Sequence, residues 1–182
     1  MTFFSCHSPF EREDEAMLHI RQAREADKPA IEAMYGRRVR YNDAHGIHQW
    51  NPDEVSWEAF SKLYSIADYY VGTVNEKVVC GLFIVDEDAL YWPDMEKGTS
   101  LYLHKICVDP AYSGNGYADA MIQYFIEKGR REGYPDVRLD VREHKDKLRR
   151  MYERNGFQLY KTGRFHPDFT TALYIYPFEK AV

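Results

Sequence analysis

The 182-residue chain, 45% hydrophobic and 29% charged, has the size and composition of one globular unit with a single core. A formal charge of −5 argues against a general nucleic-acid binder, which needs a basic face to neutralise phosphates, and leans weakly toward cationic substrates. No apolar run approaches the ~20 residues that cross a bilayer, and the opening MTFFSCHSPFEREDEAM lacks the basic start and long apolar stretch of a secretory signal. The expectation is a cytoplasmic chain without membrane or nucleic-acid partners. Residues 1–17 read as a loosely ordered extension and residues 18–182 as one domain. Cys6, Cys80 and Cys107 are an odd number at unrelated spacings, giving neither a disulfide framework nor a CxxC metal pair. Reduced thiols are expected, with Cys107 as a small buried hydrophobe in a strand.

Leu18 to Arg24 alternates apolar and polar residues and suits a first strand. Asp27 followed by Pro29 marks a helix start, and Ile31, Met34, Tyr35 and Val39 carry that helix to about Tyr41. The turn-rich Asn42 to Asp53 is an exposed connection. A shorter helix follows, capped by Ser56, with Trp57, Phe60, Leu63 and Tyr64 as its apolar side. Tyr69 to Val74 and Val78 to Val85 are strands joined across Asn75-Glu76-Lys77. Acidic Asp86 to Gly98 leads into a strand over Leu101 to Val108. A Pro-marked turn and a glycine-bearing loop then open a helix with Ala118, Ile122, Phe125 and Ile126 on one side, ended by Gly133 and Pro135. Val137 to Val141 is a strand. Lys145 to Asn155 is a helix with Leu148, Met151 and Tyr152 inward, stopped by Gly156. Phe157 to Lys161 and Thr170 to Tyr176 close the sheet. The order β-α-α-β-β-β-α-β-α-β-β predicts an α+β fold with helices on one mixed sheet and no internal repeat.

Chemistry concentrates in two stretches. In the first, a strand feeds a helix through Gly114 and Gly116, so unpaired backbone N–H groups and the positive end of the helix dipole converge on the loop, as a phosphate-rich ligand requires. Alone, the two glycines fit a tight turn equally well, and a GxG after a strand also opens dinucleotide-binding folds. Asp119 stands where that fingerprint has its third glycine, and the preceding strands read as antiparallel hairpins, both against a doubly wound fold. The second stretch is Leu139 to Phe157. Together, Val108-Asp109-Pro110, Ser113-Gly114-Asn115-Gly116-Tyr117-Ala118 and Met151-Tyr152-Glu153-Arg154-Asn155-Gly156-Phe157 resemble the signature of the GNAT superfamily of acyl-CoA-dependent N-acyltransferases. The element order from Leu18 onward resembles that family's fold.

The resemblance implies a mostly antiparallel mixed sheet, splayed after the donor-binding strand, with helices on both faces. It implies an N-acetyltransferase moving acetyl from acetyl-CoA, without a metal, to a primary amine of a small molecule or peptide by direct attack. A homodimer is one admissible assembly. Backbone groups of Ile106, Cys107 and Val108 would pair with the pantetheine arm like an added strand edge, and the loop from Ser113 through Gly114, Asn115, Gly116, Tyr117, Ala118 and Asp119 would hold the pyrophosphate. Two positions depart from the pattern. Ser113 replaces an Arg or Gln, so one long polar side chain is lost while the backbone geometry can survive. Lys145 replaces a pantetheine-contacting Asn, and would either reach a CoA phosphate or be solvated. A CoA-binding regulatory or interaction module with weak turnover is therefore the rival reading.

Tyr152 matches the tyrosine that the family often uses to protonate the departing thiolate. A phenol with a pKa near 10 stays protonated at neutral pH and can donate one hydrogen bond; the competing reading is a core tyrosine beside Leu148 and Met151. On the acceptor side, an ammonium of pKa near 10.4 needs about 4.6 kcal/mol to free its lone pair at pH 7, so a group or water chain must take the proton. His104 is a candidate base, expected from strand alternation to share a face with Tyr102, Ile106 and Val108, with Lys105 opposite; a half-buried strand histidine reads the same. Relatives use a carboxylate and waters here, but no single Asp or Glu is marked out in this sequence. Tyr102, His48 and Trp50 are candidate substrate contacts, the last two with His45 in the connection where the family places acceptor-binding residues. His45-x-x-His48 lacks further ligands for a metal. The acidic residues Asp86, Glu87, Asp88, Asp94 and Glu96 read as a solvated loop that could attract a cation.

Overall fold

The computed structural model describes residues 17–178; Cys6 and nearly all of the expected N-terminal extension lie outside them. Seven strands form one sheet in the order β1-β2-β3-β4-β5-β7-β6: β1 (His19–Gln22), β2 (Tyr69–Val74), β3 (Lys77–Val85), β4 (Leu101–Val108), β5 (Asp136–Arg142), β6 (Gln158–His166) and β7 (Phe169–Pro177). Every neighbouring pair is antiparallel except β4–β5, which is parallel. The four α-helices are α1 (Lys28–Ala44), α2 (Trp57–Phe60), α3 (Tyr117–Arg131) and α4 (Asp146–Arg154). The expected order of strands and helices is the observed one. No described helix is long and apolar enough to cross a membrane.

The helices cover both faces. Ile31, Met34, Tyr35 and Val39 of α1 recur at helical spacing and pack with Phe60 of α2 against Val71, Phe83 and Cys107, which a period of 3.6 residues places on one stripe. On the opposite face, Met121, Ile122, Phe125 and Ile126 of α3 join Met151 and Tyr152 of α4 over Leu101, Leu103, Val137 and Leu139. The α2 helix is a single turn, with the Ser56 side chain accepting from the Ala59 N–H as its cap. Between β2 and β3 the link is two residues, Asn75 and Glu76, both at positive φ (48° and 64°), the geometry that suits the right-handed twist of a tight hairpin. Lys77, expected in the link, begins β3.

Two irregularities in β4 set up the site. The parallel pairing of β4 with β5 stops after Leu101↔Val137, Tyr102↔Arg138 and Leu103↔Leu139, although β4 runs on to Val108 and β5 to Arg142. The two central strands thus part just beyond Leu103 and Leu139. On its other edge β4 pairs His104 with Phe83 and Cys107 with Gly81, so Lys105 and Ile106 together oppose Leu82, a bulge in which Lys105 takes φ 52°. An extra residue resets the alternation of side chains. The expectation that His104 shares a face with Ile106 and Val108 is therefore wrong. Ile106 and Val108 pack toward the α3 core, Cys107 turns toward α1, and His104 lies beside Tyr64 with a ring separation of 5.8 Å. Lys105 is likewise not opposite His104: its ammonium sits 5.9 Å over the Phe60 ring, and its carbonyl accepts from the Tyr35 hydroxyl.

Candidate active site

The loop at the end of β4 is held by α1. Arg37 of α1 pairs with Asp109 at 2.6 Å, and the Asp109 side chain is almost fully buried. Its other oxygen accepts from the Ala111 N–H at 3.0 Å, capping the turn Pro110–Tyr112. The neighbouring Arg38 donates through Nε to the Val108 carbonyl at 2.8 Å and through Nη2 to the Ser113 hydroxyl at 2.8 Å. A guanidinium thus stands at the loop position where the motif's own long polar side chain is missing, supplied by a helix some seventy residues upstream. The Asp109 N–H donates to Val79 of β3, and successive backbone groups point to opposite edges of a strand; the Val108 N–H therefore faces the opening.

Gly114 and Gly116 take φ 88° and 75°, with no atom within 4 Å of where a Cβ would stand. Among the described residues, no backbone carbonyl accepts from the N–H groups of Gly114, Asn115, Gly116, Tyr117, Ala118 or Asp119. Free donors at a helix N-terminus beside an open surface suit a pyrophosphate. The Asn115 side chain donates back to the Tyr112 carbonyl at 3.0 Å, which shapes the loop. The Asp119 carboxylate receives Arg154 at 2.7 and 3.1 Å and Asn155 Nδ2, while Gln123 donates to the Asn155 side chain at 2.9 Å. The two sequence motifs are thus physically clamped. Burial opposes ionisation of Asp119, but the bonds from Arg154 and Asn155 outweigh it and hold the carboxyl below its ordinary range.

Tyr152 is buried on α4, edge-on to Phe157 at 6.1 Å and near Tyr174. Burial, then the charge of Asp140, pushes its phenol above the ordinary value, so it stays protonated. Asp140 is the first β5 residue past the last β4–β5 pair, as His104 is on β4. His104 Nδ1 faces Asp140 Oδ1 at 3.4 Å and its Nε2 faces Asp88 Oδ2 at 3.6 Å. Burial raises the Asp88 carboxyl, with His104 working against it. Burial raises Tyr64 too, and the charges of Asp140 and Asp88 add to it. Lys105 is lowered by burial. Tyr152 belongs to the α3–α4 core, whereas His104 packs by Tyr64 on the other face; the phenol and the imidazole therefore flank the opening from opposite sides.

The remaining expected contacts distribute as follows. Trp50 stacks edge-on against Tyr35 at 5.3 Å and, with His48, Asn51, Glu54 and Arg142, lines a small pocket near the end of β5. Lys145 is partly exposed, and its ammonium donates to the His48 carbonyl, tying the start of α4 to that pocket. Tyr102 is fully buried among Trp92 and Leu173, beneath the site. Burial keeps the Cys107 thiol protonated, far from a nucleophile's requirement. His45 stacks on Tyr41 at 4.0 Å. Sequence reading passed over Asp140 and Arg38, took Asp88 only as part of a solvated acidic loop, and placed Lys105 on the wrong side of the strand. Asp140 carried one faint signal, a carboxylate inside an otherwise buried strand.

The sequence matches the family described as "Acetyltransferase (GNAT) family" over residues 31–157. Among solved structures, the fold is similar to the ribosomal-protein-S18-alanine N-acetyltransferase from Escherichia coli, with a TM-score of 0.67 and 19% identity over 91% of this chain and 97% of that one. A GNAT-family acetyltransferase from Listeria monocytogenes gives a TM-score of 0.68 and 20% identity over 88% and 95%. An N-acetyltransferase from Staphylococcus aureus gives 0.62 and 20% over 88% and 98%. A match across more than two thirds of the chain, on a seven-stranded sheet that parts where the motif residues gather, decides the matter: this chain belongs to the GNAT acetyltransferase family and is an acyltransferase.

Proposed function

We propose that this enzyme transfers acetyl from acetyl-CoA to the primary amine of a small molecule or peptide by direct attack. The observation that carries the reading is the gap between β4 and β5, with Tyr152 on one side, His104 and Asp140 on the other, and a loop of unpaired amides at its rim. The donor would supply an activated acetyl thioester. The amides from Gly114 through Asp119 hold its pyrophosphate, with Ser113 oriented by Arg38. The β4 edge from Ile106 through Cys107 to Val108 offers backbone pairing to the pantetheine arm, and the inward Val108 N–H polarises the thioester carbonyl. Tyr152 gives its proton to the leaving thiolate.

On the acceptor side, His104 takes the proton from the incoming amine. Trp50 and His48 border the entrance, Tyr102 packs in the core with Trp92 and Leu173, and Lys145 fixes the His48 loop rather than meeting the donor. A peptide N-terminus, the kind of acceptor in the name of the Escherichia coli protein, is one admissible amine. Residues 18–182 act as the single catalytic domain. Calorimetry with acetyl-CoA, ATP and NADH tests the donor site. Acetyl-CoA is expected to bind alone among the three; tight NADH or ATP binding without acetyl-CoA binding would overturn the reading.

A further inference from the structure

The loop between β3 and β4 delivers a buried carboxylate of which only one oxygen has a structural partner. Asp88 has a side chain only 6% exposed. One oxygen accepts from the Tyr91 N–H at 3.1 Å, while Oδ2 is buried without any hydrogen-bond partner. Leaving such an oxygen unpaired is costly, and native structures rarely do so without a reason. The atom facing it is His104 Nε2, at 3.6 Å. On the ring's far side Nδ1 faces Asp140 Oδ1 at 3.4 Å. Side-chain exposure rises along this row from 6% at Asp88 through 11% at His104 to 19% at Asp140, so the row runs outward from the interior toward the opening.

A neutral imidazole carries one N–H, and its partner decides which nitrogen bears it. An N–H on Nε2 answers the orphaned Asp88 oxygen. Nδ1 then presents a lone pair beside the Asp140 carboxylate, two acceptors with no donor between them. A cation satisfies both, as the three groups together could for a metal ion, and a cation that carries N–H bonds also donates to each acceptor. We propose that Asp88 fixes His104 in the Nε2–H tautomer, and that Nδ1 and Asp140 together bind the acceptor as an ammonium ion and deprotonate it. This rests on the acetyl-transfer reading of the same site and names what that reading leaves open: the acceptor enters charged, and Asp88 is the positioning residue for the base.

The protons balance. An N–H bond of the ammonium breaks, its proton moves to Nδ1, and the electron pair stays on the nitrogen that attacks. The resulting imidazolium lies between two carboxylates and later releases its proton to water. The nitrogen's second proton replaces, on Tyr152, the one given to the thiolate. Facing this row are Tyr64, Tyr91 and Tyr152, with Lys105 and Arg142 as the neighbouring cations.

Nitrogen-15 spectra of the histidines in the full chain, recorded at pH 9 above the ordinary imidazole range, read the tautomer directly. The parent is expected to show His104 as Nε2–H, and methylammonium to shift its Nδ1 signal. In Asp88→Asn the amide donates to Nε2 and the ring becomes Nδ1–H. With acetyl-CoA affinity unchanged within twofold as the folding control, kcat for that variant falls at least about a hundredfold and the alkaline plateau of its pH profile is lost. Asp140→Asn is expected to raise KM for amines at least tenfold and leave the tautomer alone. An Nδ1–H ring in the parent, or an unchanged ring and pH profile in Asp88→Asn, would overturn the proposal. Acetyl-CoA binding with no amine turnover in the parent would instead remove the acetyl-transfer reading, and the spectra still decide the tautomer.

Discussion

At the scale of single residues, Tyr152 gives the sharpest test. Its ring is packed among Phe157 and Tyr174, and burial keeps its hydroxyl protonated. Tyr152→Phe therefore keeps the packing and removes only the proton donor. We expect kcat to fall roughly 10²-fold, with acetyl-CoA affinity within twofold and Tm within a few degrees of the parent; steady-state kinetics beside calorimetry check this, and equal kcat values would dismiss the acid role. Tyr152 was legible as a candidate because it lies inside a contiguous motif. His104 was legible as a candidate, but its face was not, because alternation assumes a regular strand and Lys105 at φ 52° breaks it. Asp88 and Asp140 were illegible. One hid in an acidic loop that reads as solvation, the other waited on a strand pairing 36 residues away in sequence.

At the scale of elements, the two motif helices are joined by the Asp119 clamp. Arg154 is well exposed and Asp119 partly so, so the ion pair contributes on the order of 0–1 kcal/mol, with the Asn155 bond adding to it. The folded carboxyl is held below its ordinary value of 3.8. A depressed folded pKa gives stability that is complete above the unfolded value and is lost as pH falls through the folded one. Asp119→Asn should thus melt lower than the parent at pH 7, with the gap closing below about pH 4. Thermal melts across pH 3–7 measure it; a gap constant with pH would contradict the clamp's electrostatic part. Acetyl-CoA affinity should also weaken, because α3 loses its anchor beside the loop. Gly156 ends α4 at φ 93°, and a Cβ there would come within 2.7 Å of the Tyr176 ring. Gly156→Ala should cost about 2–4 kcal/mol through left-handed strain and overpacking, lowering Tm by roughly 5–15 °C; a change under 2 °C in scanning calorimetry would contradict it. Element boundaries followed their physical signals. Helices with a stripe and a glycine stop were read to within a few residues, whereas β6 runs on to His166 past the expected Lys161. Its first five residues are all exposed, so an edge strand offers no alternation to read.

At the scale of the whole molecule, the sheet works because its one parallel pairing is left incomplete. Antiparallel β1–β4 and β5–β7 each zip with their neighbours, and the seam between the two sets holds for three residue pairs before parting. That break places the glycine loop, Tyr152 and the Asp88–His104–Asp140 row around one opening. The topology was legible from element order together with the motif, since neither a glycine loop nor a tyrosine helix alone chooses among folds. Which acidic side chains meet across the seam depends on register and on the bulge, and no single-chain pattern encodes those distances. The most direct test is release of CoA thiol from acetyl-CoA across a panel of primary amines and their isosteric alcohols. Amine-dependent release is predicted, at least a hundredfold above the matched alcohols; acetyl-CoA that binds but releases thiol no faster with any amine than without would contradict the account.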